Sequence, residues 1–148
     1  MTEQEWQPSE DPDALLVEFR GVGNDPRLRE WCCECLRRVW EHLADEGREA
    51  VTASEQFARG AITEAELAVA REKAESAVRK LTSYGEKNAQ RAAAQCASQE
   101  IDALGIARFI GWGAAYAIGS PETLEGQQQL ARERKAQLEL LRQIFAVN

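Results

Sequence analysis

The residues best suited to chemistry crowd into one short stretch. The segment "REWCCECLRRVW", residues 29–40, holds three of the chain's four cysteines, Cys32, Cys33 and Cys35. The fourth is Cys96, and His42 is the only histidine. Cys32-x-x-Cys35 is half of a zinc site, which needs four ligands and usually takes two such pairs. The sequence has no second C-x-x-C, so Cys96 or His42 would have to complete the set. On a continuous helix His42 lies two turns past Cys35, about 10 Å along the axis. That is too far to share one ion, and His42 reads as a structural residue at the edge of its helix. A zinc site on Cys32, Cys35 and Cys96 is therefore the alternative to a chain that carries no cofactor.

Thiol chemistry is the other possibility. In thioredoxin-like proteins the C-x-x-C pair stands at a helix N-terminus, whose dipole lowers a thiol pKa. Here the pair falls in mid-helix by pattern, without that help. Cys33 points away from Cys32 and Cys35, since each helical residue turns about 100°. Arg29 and Arg37 lie one turn before and one turn after it on the same face. Two cations favour a thiolate and Glu30 opposes them, which makes Cys33 the candidate reactive thiol. Against both readings stands a plain one. Free cysteine behaves as a small, commonly buried hydrophobe, and Arg29, Arg37 and Glu30 equally fit the pattern of a solvated face. The expectation is that Cys32 and Cys35 belong to the core.

These residues need elements to hold them, and the elements read as helices throughout. "DPDALLVEFRG" has Asp11 as N-cap, Pro12 at the first helical position and Gly21 as its stop. "NDPRLREWCCECLRRVWEHLADEG" repeats that grammar with Asp25 and Pro26. Its apolar positions, Leu28, Trp31, Cys32, Cys35, Leu36, Val39, Trp40 and Leu43, are spaced by three and four, the pattern of one buried helix face. Gly47 reads as its end. A third helix runs through Val51 and Phe57 to Gly60. Thr63 and Glu66 form a capping box for the next, with Ile62 stapled onto Leu67 and Gly85 as terminator. Residues 86–118 are Ala-rich and then strongly apolar, and can be read as one helix or two. A last helix over 121–146 is capped by Ser120. Leu124, Ala131, Leu138 and Phe145 recur in it every seven residues, but the intervening positions near Gln127 and Arg134 are polar, so this is a packing stripe and not a sustained coiled coil. Residues 1–10 read as an N-terminal extension or a short first turn capped by Thr2 and Glu5. The expected fold is all-α, a single domain over 1–148 of five to six helices, largely antiparallel because the loops are short.

Composition narrows the function. The chain has 148 residues, 44% hydrophobic and 29% charged, with a net charge of -7. That length fits one domain, and such a domain folds without disulfide staples. An acidic surface is a poor match for nucleic-acid phosphates. "MTEQEWQPSED" has no apolar run of the signal-peptide kind, and unevenly spaced cysteines then read as reduced cytosolic thiols. Residues 103–119, "ALGIARFIGWGAAYAIG", fall short of a membrane span and contain Arg108. Ala107, Gly111 and Ala115 in it form a small-residue ridge suited to close helix packing, and a break beside Trp112 and Tyr116 would instead open a ligand groove. Phosphate-loop, dinucleotide and metalloprotease motifs are not found, nor is a nucleophile elbow.

Several blocks together resemble a known pattern. "MTEQEW", "DPDALLVEFRG", "NDPRLREWCCECLRRVW", "DEGREAV", "EQFARG" and "LLRQIF" are similar to blocks of a helical protein family abundant in planctomycete bacteria. Its members open MTEAEW, continue DP, ML, FLRG and SDRKLRLFACACCRRIW, and close LLRDIFGNPF. The resemblance runs from residue 1 to near 60, fades through the Ala-rich middle and returns near 140. It implies a helical fold and a bacterial cytosolic origin, and it brings no activity with it. The family's C-x-C-C matches at Cys33 and Cys35, but its last cysteine is Leu36 here. Cys32 is an extra cysteine where the family has Ala, and "AVN" stands in place of GNPF. The expected function is a non-enzymatic interaction module that meets a protein partner or a second copy through helical faces. The alternative is a metal-binding or redox-sensing protein centred on Cys33 and Cys35.

Overall fold

The computed structural model describes residues 11–19 and 25–146. The expected turn at Thr2–Glu5 and the stop at Gly21 lie outside them. Seven α-helices occur among the described residues, with no strand: α1 Pro12–Leu16, α2 Pro26–Arg37, α3 Asp45–Ala58, α4 Glu64–Ala77, α5 Tyr84–Cys96, α6 Arg108–Ala115 and α7 Leu124–Ile144. The all-α class is as expected, and the count exceeds five to six because residues 86–118 divide in two.

The start signals explain most of the boundaries. Asp11 accepts from the Asp13 amide and Asp25 from the Arg27 amide, each ahead of a proline at the first helical position. Thr63 and Glu66 make the full reciprocal box at the head of α4. Such side chains satisfy amides that the first helical turn leaves without partners. Gly60, with φ of 74°, ends the turn after α3, a backbone conformation that suits glycine.

Two glycines expected to end helices instead lie inside them. α2 stops at Arg37, a 3₁₀ turn follows at Trp40–His42, and α3 begins at Asp45. Gly47 thus sits in the first turn of α3, where a Cβ would run into the side-chain amide of Gln90. Gln90 is fully buried; its Oε1 accepts from the Ala44 amide and its Nε2 donates to the Ala74 carbonyl, each at 3.3 Å. One amide side chain therefore ties α5 to the start of α3 and to α4. Gly85 likewise belongs to α5, capped by Ser83, and lets the Tyr116 carbonyl approach. In both places close approach, and not termination, accounts for the glycine.

The Ala-rich middle breaks after Cys96. Asp102 caps a wide π turn, Ala103–Ala107, by accepting from the Gly105 and Ile106 amides, and the turn feeds α6. Gly111 and Gly113 do not break α6. A Cβ on Gly113 would press on Ala92 and the Asn88 carbonyl of α5, so the small residues serve close packing. No helix among the described residues is long and apolar enough to cross a membrane. The last helix starts later than expected: Thr123, not Ser120, accepts from the Gly126 amide, and α7 spans Leu124–Ile144 and not 121–146.

α2 is the central element and packs on α3, α5, α6 and α7. Leu28, Trp31, Cys32, Cys35, Leu36 and Val39 are buried in the main core together with Leu16, Ile101, Ile110 and Leu141. A smaller cluster of Ala50, Ala53, Leu67, Ala74, Ala94 and Ala97 lies between α3, α4 and α5. The seven-residue stripe of α7 is split: Leu138 and Phe145 are buried, whereas Leu124 and Ala131 are exposed.

Candidate functional site

α2 sends its cysteines in two directions. Cys32 and Cys35 are fully buried on the stripe that faces the main core. Burial holds both thiols well above their usual pKa, because a thiolate there would lose its hydration. Cys33 leaves the stripe and meets α5, with its Sγ 3.5 Å from Cys96 Sγ. It is 3% exposed. It lines a cleft of about 310 Å³ between α2 and α3, with Pro26, Arg59 and Ala58 around it.

The two arginines beside Cys33 in sequence are occupied elsewhere. Arg29 is buried. Its Nη1 donates to Ser54 Oγ at 3.0 Å and to the Cys96 carbonyl at 3.1 Å, and its Nη2 donates to the Gln99 carbonyl at 2.8 Å. Its guanidinium also lies over the Phe57 ring, 5.1 Å from the centroid. Arg37 makes a two-point pair with Glu55, at 3.0 and 2.6 Å, and stacks 4.2 Å over Trp40. The hydrogen bond with Cys96, followed by burial, pushes the Cys33 thiol up. The structure thus pairs Cys33 with a second thiol, 63 residues away in sequence.

Cys32, Cys35 and Cys96 are not gathered into a ligand set. Cys96 meets Cys33, and Cys35 lies in the field of Arg134, Glu133 and Arg38. His42 is half-buried at the end of the 3₁₀ turn after α2. Among the described residues no three His, Cys, Asp or Glu side chains stand together as metal ligands.

Sequence reasoning missed a polar network on the opposite side of α2. Arg134 of α7 is 3% exposed. Its Nη2 donates to Asp11 Oδ1 and Asp13 Oδ1, both at 2.8 Å, and its Nη1 donates to Gln137 Oε1 at 2.9 Å. The guanidinium carbon lies 3.9 Å from the Trp112 ring centroid. Trp112 Nε1 in turn donates to Asp13 Oδ2, Gln137 Nε2 to the Gly111 carbonyl and Trp31 Nε1 to the Gln137 carbonyl, each at 2.8 Å. The network joins α1, α2, α6 and α7. Its signal in the sequence is the polar interruption of the α7 stripe at Arg134.

The raised thiols make stability depend on pH at the alkaline end. A group whose folded pKa lies above its unfolded value adds stability in full below the unfolded pKa and loses it as pH rises. For Cys32, Cys33 and Cys35 the loss begins near the ordinary thiol pKa of about 8.5. Each contributes a slope of about 1.4 kcal/mol per pH unit beyond it. Urea melts between pH 7 and 10.5 are expected to show this decline, and Cys32→Ala with Cys35→Ala is expected to flatten it.

No protein-family model matches the chain, and no curated protein or solved structure matches it either.

Proposed function

We propose that this protein is a non-catalytic helical binding module, and that its binding face is the α2–α3 cleft. The observation that supports this reading most is the state of the charges at the cleft. Its inner walls are fixed, because Arg29 is spent on Ser54 and two carbonyls and Glu55 accepts from Arg37. Its rim carries exposed Glu30, Glu34 and Arg59, whose side chains form no hydrogen bond or ion pair among the described residues. A preformed pocket of about 310 Å³ with a few convergent polar groups is the usual form of a ligand or peptide-anchor site. The partner in this reading is a protein segment that seats one side chain in the cleft and meets both signs of charge at its edge. The acidic balance of the chain favours a protein partner over nucleic acid, and the resemblance of its opening blocks accords with a bacterial cytosolic setting.

Peptides selected from a random phage-displayed library supply the probe. Ala58→Trp fills the cleft from an exposed position, and Val69→Trp on α4 serves as control. Selected peptides are expected to lose at least tenfold in affinity for Ala58→Trp and to keep it for Val69→Trp. Peptides that bind both variants equally would overturn the cleft as the binding face.

A further inference from the structure

We propose that Cys33 and Cys96 form an oxidisable dithiol, closed to a disulfide by a hydroperoxide that enters through the α2–α3 cleft. This goes beyond the binding role and does not depend on what the cleft holds. Three observations carry it. The two sulfurs are in contact at 3.5 Å, so closing the bond to about 2.05 Å requires an approach of about 1.5 Å. Cys33 lines the cleft, whereas Cys96 behind it is fully buried, so a small oxidant meets Cys33 first. Cys32 and Cys35 are fully buried in the main core and do not line the cleft. The fold therefore divides four chemically equal thiols into one reactive pair and two bystanders.

The chemistry balances in two steps. Cys33 sulfur attacks one oxygen of the hydroperoxide, the O–O bond breaks, and an alcohol (water, for hydrogen peroxide) leaves with a proton. Cys33 is then a sulfenic acid. Cys96 sulfur attacks it, the S–O bond breaks, and water leaves with the Cys96 proton. Two thiols and one hydroperoxide give one disulfide, one alcohol and one water. The two electrons lost by sulfur reduce the peroxide oxygen. A peroxide reacts with the thiolate, and the Cys96 contact, followed by burial, disfavours the thiolate here. The reaction is therefore expected to be slower than that of free cysteine and to quicken with pH.

The bond would join the middle of α2 to the last residue of α5. It spans a long loop, and closing such a loop is expected to raise Tm by about 10 °C.

The test is to expose the folded chain to hydrogen peroxide, quench, unfold, alkylate without reductant and map the products by mass spectrometry. The expected result is a Cys33–Cys96 linked peptide with Cys32 and Cys35 alkylated, together with a higher Tm that dithiothreitol reverses. Cys96→Ser is expected to stop at the sulfenic acid on Cys33, trapped by dimedone. Cys32→Ala with Cys35→Ala, which keeps only the pair, is expected to oxidise as the native chain does. A linkage through Cys32 or Cys35 would overturn the proposal. So would four thiols still alkylatable after prolonged exposure to excess peroxide at about pH 9, where the thiolate is more abundant.

Discussion

Replacing Asp11 and Asp13 together by Ala is expected to destabilise the protein by about 3–5 kcal/mol, the usual cost of leaving a buried charge without its partner. Arg134 is the buried member of this group; the side chains of Asp11 and Asp13 are 39% and 29% exposed. Removing the carboxylates strands the guanidinium against Trp112, with Gln137 as its remaining hydrogen-bond acceptor. Two further losses add to it. Asp11 caps α1, and Asp13 is the acceptor for Trp112 Nε1. Equilibrium urea melts would measure the effect. Adding Arg134→Met to the double variant is expected to recover a large part of the loss, because an apolar side chain of similar length asks for no counter-charge. A triple variant no more stable than the double would mean that the caps and packing carry the cost, not the stranded cation.

Trp31→Ala is expected to cost about 3–5 kcal/mol, the range for removing a large aromatic from a core. Trp31 is fully buried where α2 crosses α6 and α7, and a Cβ on Gly111 would come within 2.8 Å of its ring. The ring thus rests directly on the α6 backbone, in the space that the glycine leaves open. Trp31→Phe keeps most of the apolar volume and loses the bond from Nε1 to the Gln137 carbonyl. It is expected to cost about 1–2 kcal/mol. A comparison of the two denaturation midpoints separates packing from hydrogen bonding at this crossing.

The sequence made the helical class and the buried face of α2 legible because both are local. Leu28, Trp31, Cys32, Cys35 and Leu36 repeat with the helical period, and burial follows that period. The caps at Asp11, Asp25 and Thr63 were legible for the same reason, since a cap and its amide lie within three residues. Gly47 and Gly85 were misread because a helix-ending glycine and a close-contact glycine look alike in sequence. The Gln90 side chain and the Tyr116 carbonyl that require them come from distant segments. Cys33 shows the limit most clearly. Its neighbours on a helical wheel are Arg29 and Arg37, yet its contact is Cys96. The arginines had stronger claims on them: Arg29 from two backbone carbonyls and Ser54, Arg37 from the Glu55 carboxylate. Arg134 was equally hidden, since a polar residue in an apolar stripe is ordinarily solvated and becomes a core residue only when partners arrive from other helices.

The alanine seam under α4 has a consequence for how the molecule opens. α4 buries one large side chain, Leu67, and otherwise meets α3 and α5 through alanines. Small residues bring helices close but remove little apolar area from water, and the exposed Lys80–Glu46 pair adds little. Regions with few buried apolar contacts open ahead of the rest. Amide protons of α4 are therefore expected to exchange with solvent through a local opening, at rates that hardly respond to low urea. Those of α2 are expected to exchange only when the whole chain unfolds. On this view the protein has two tiers of stability, and the thiol pair, held between α2 and α5, belongs to the slower one.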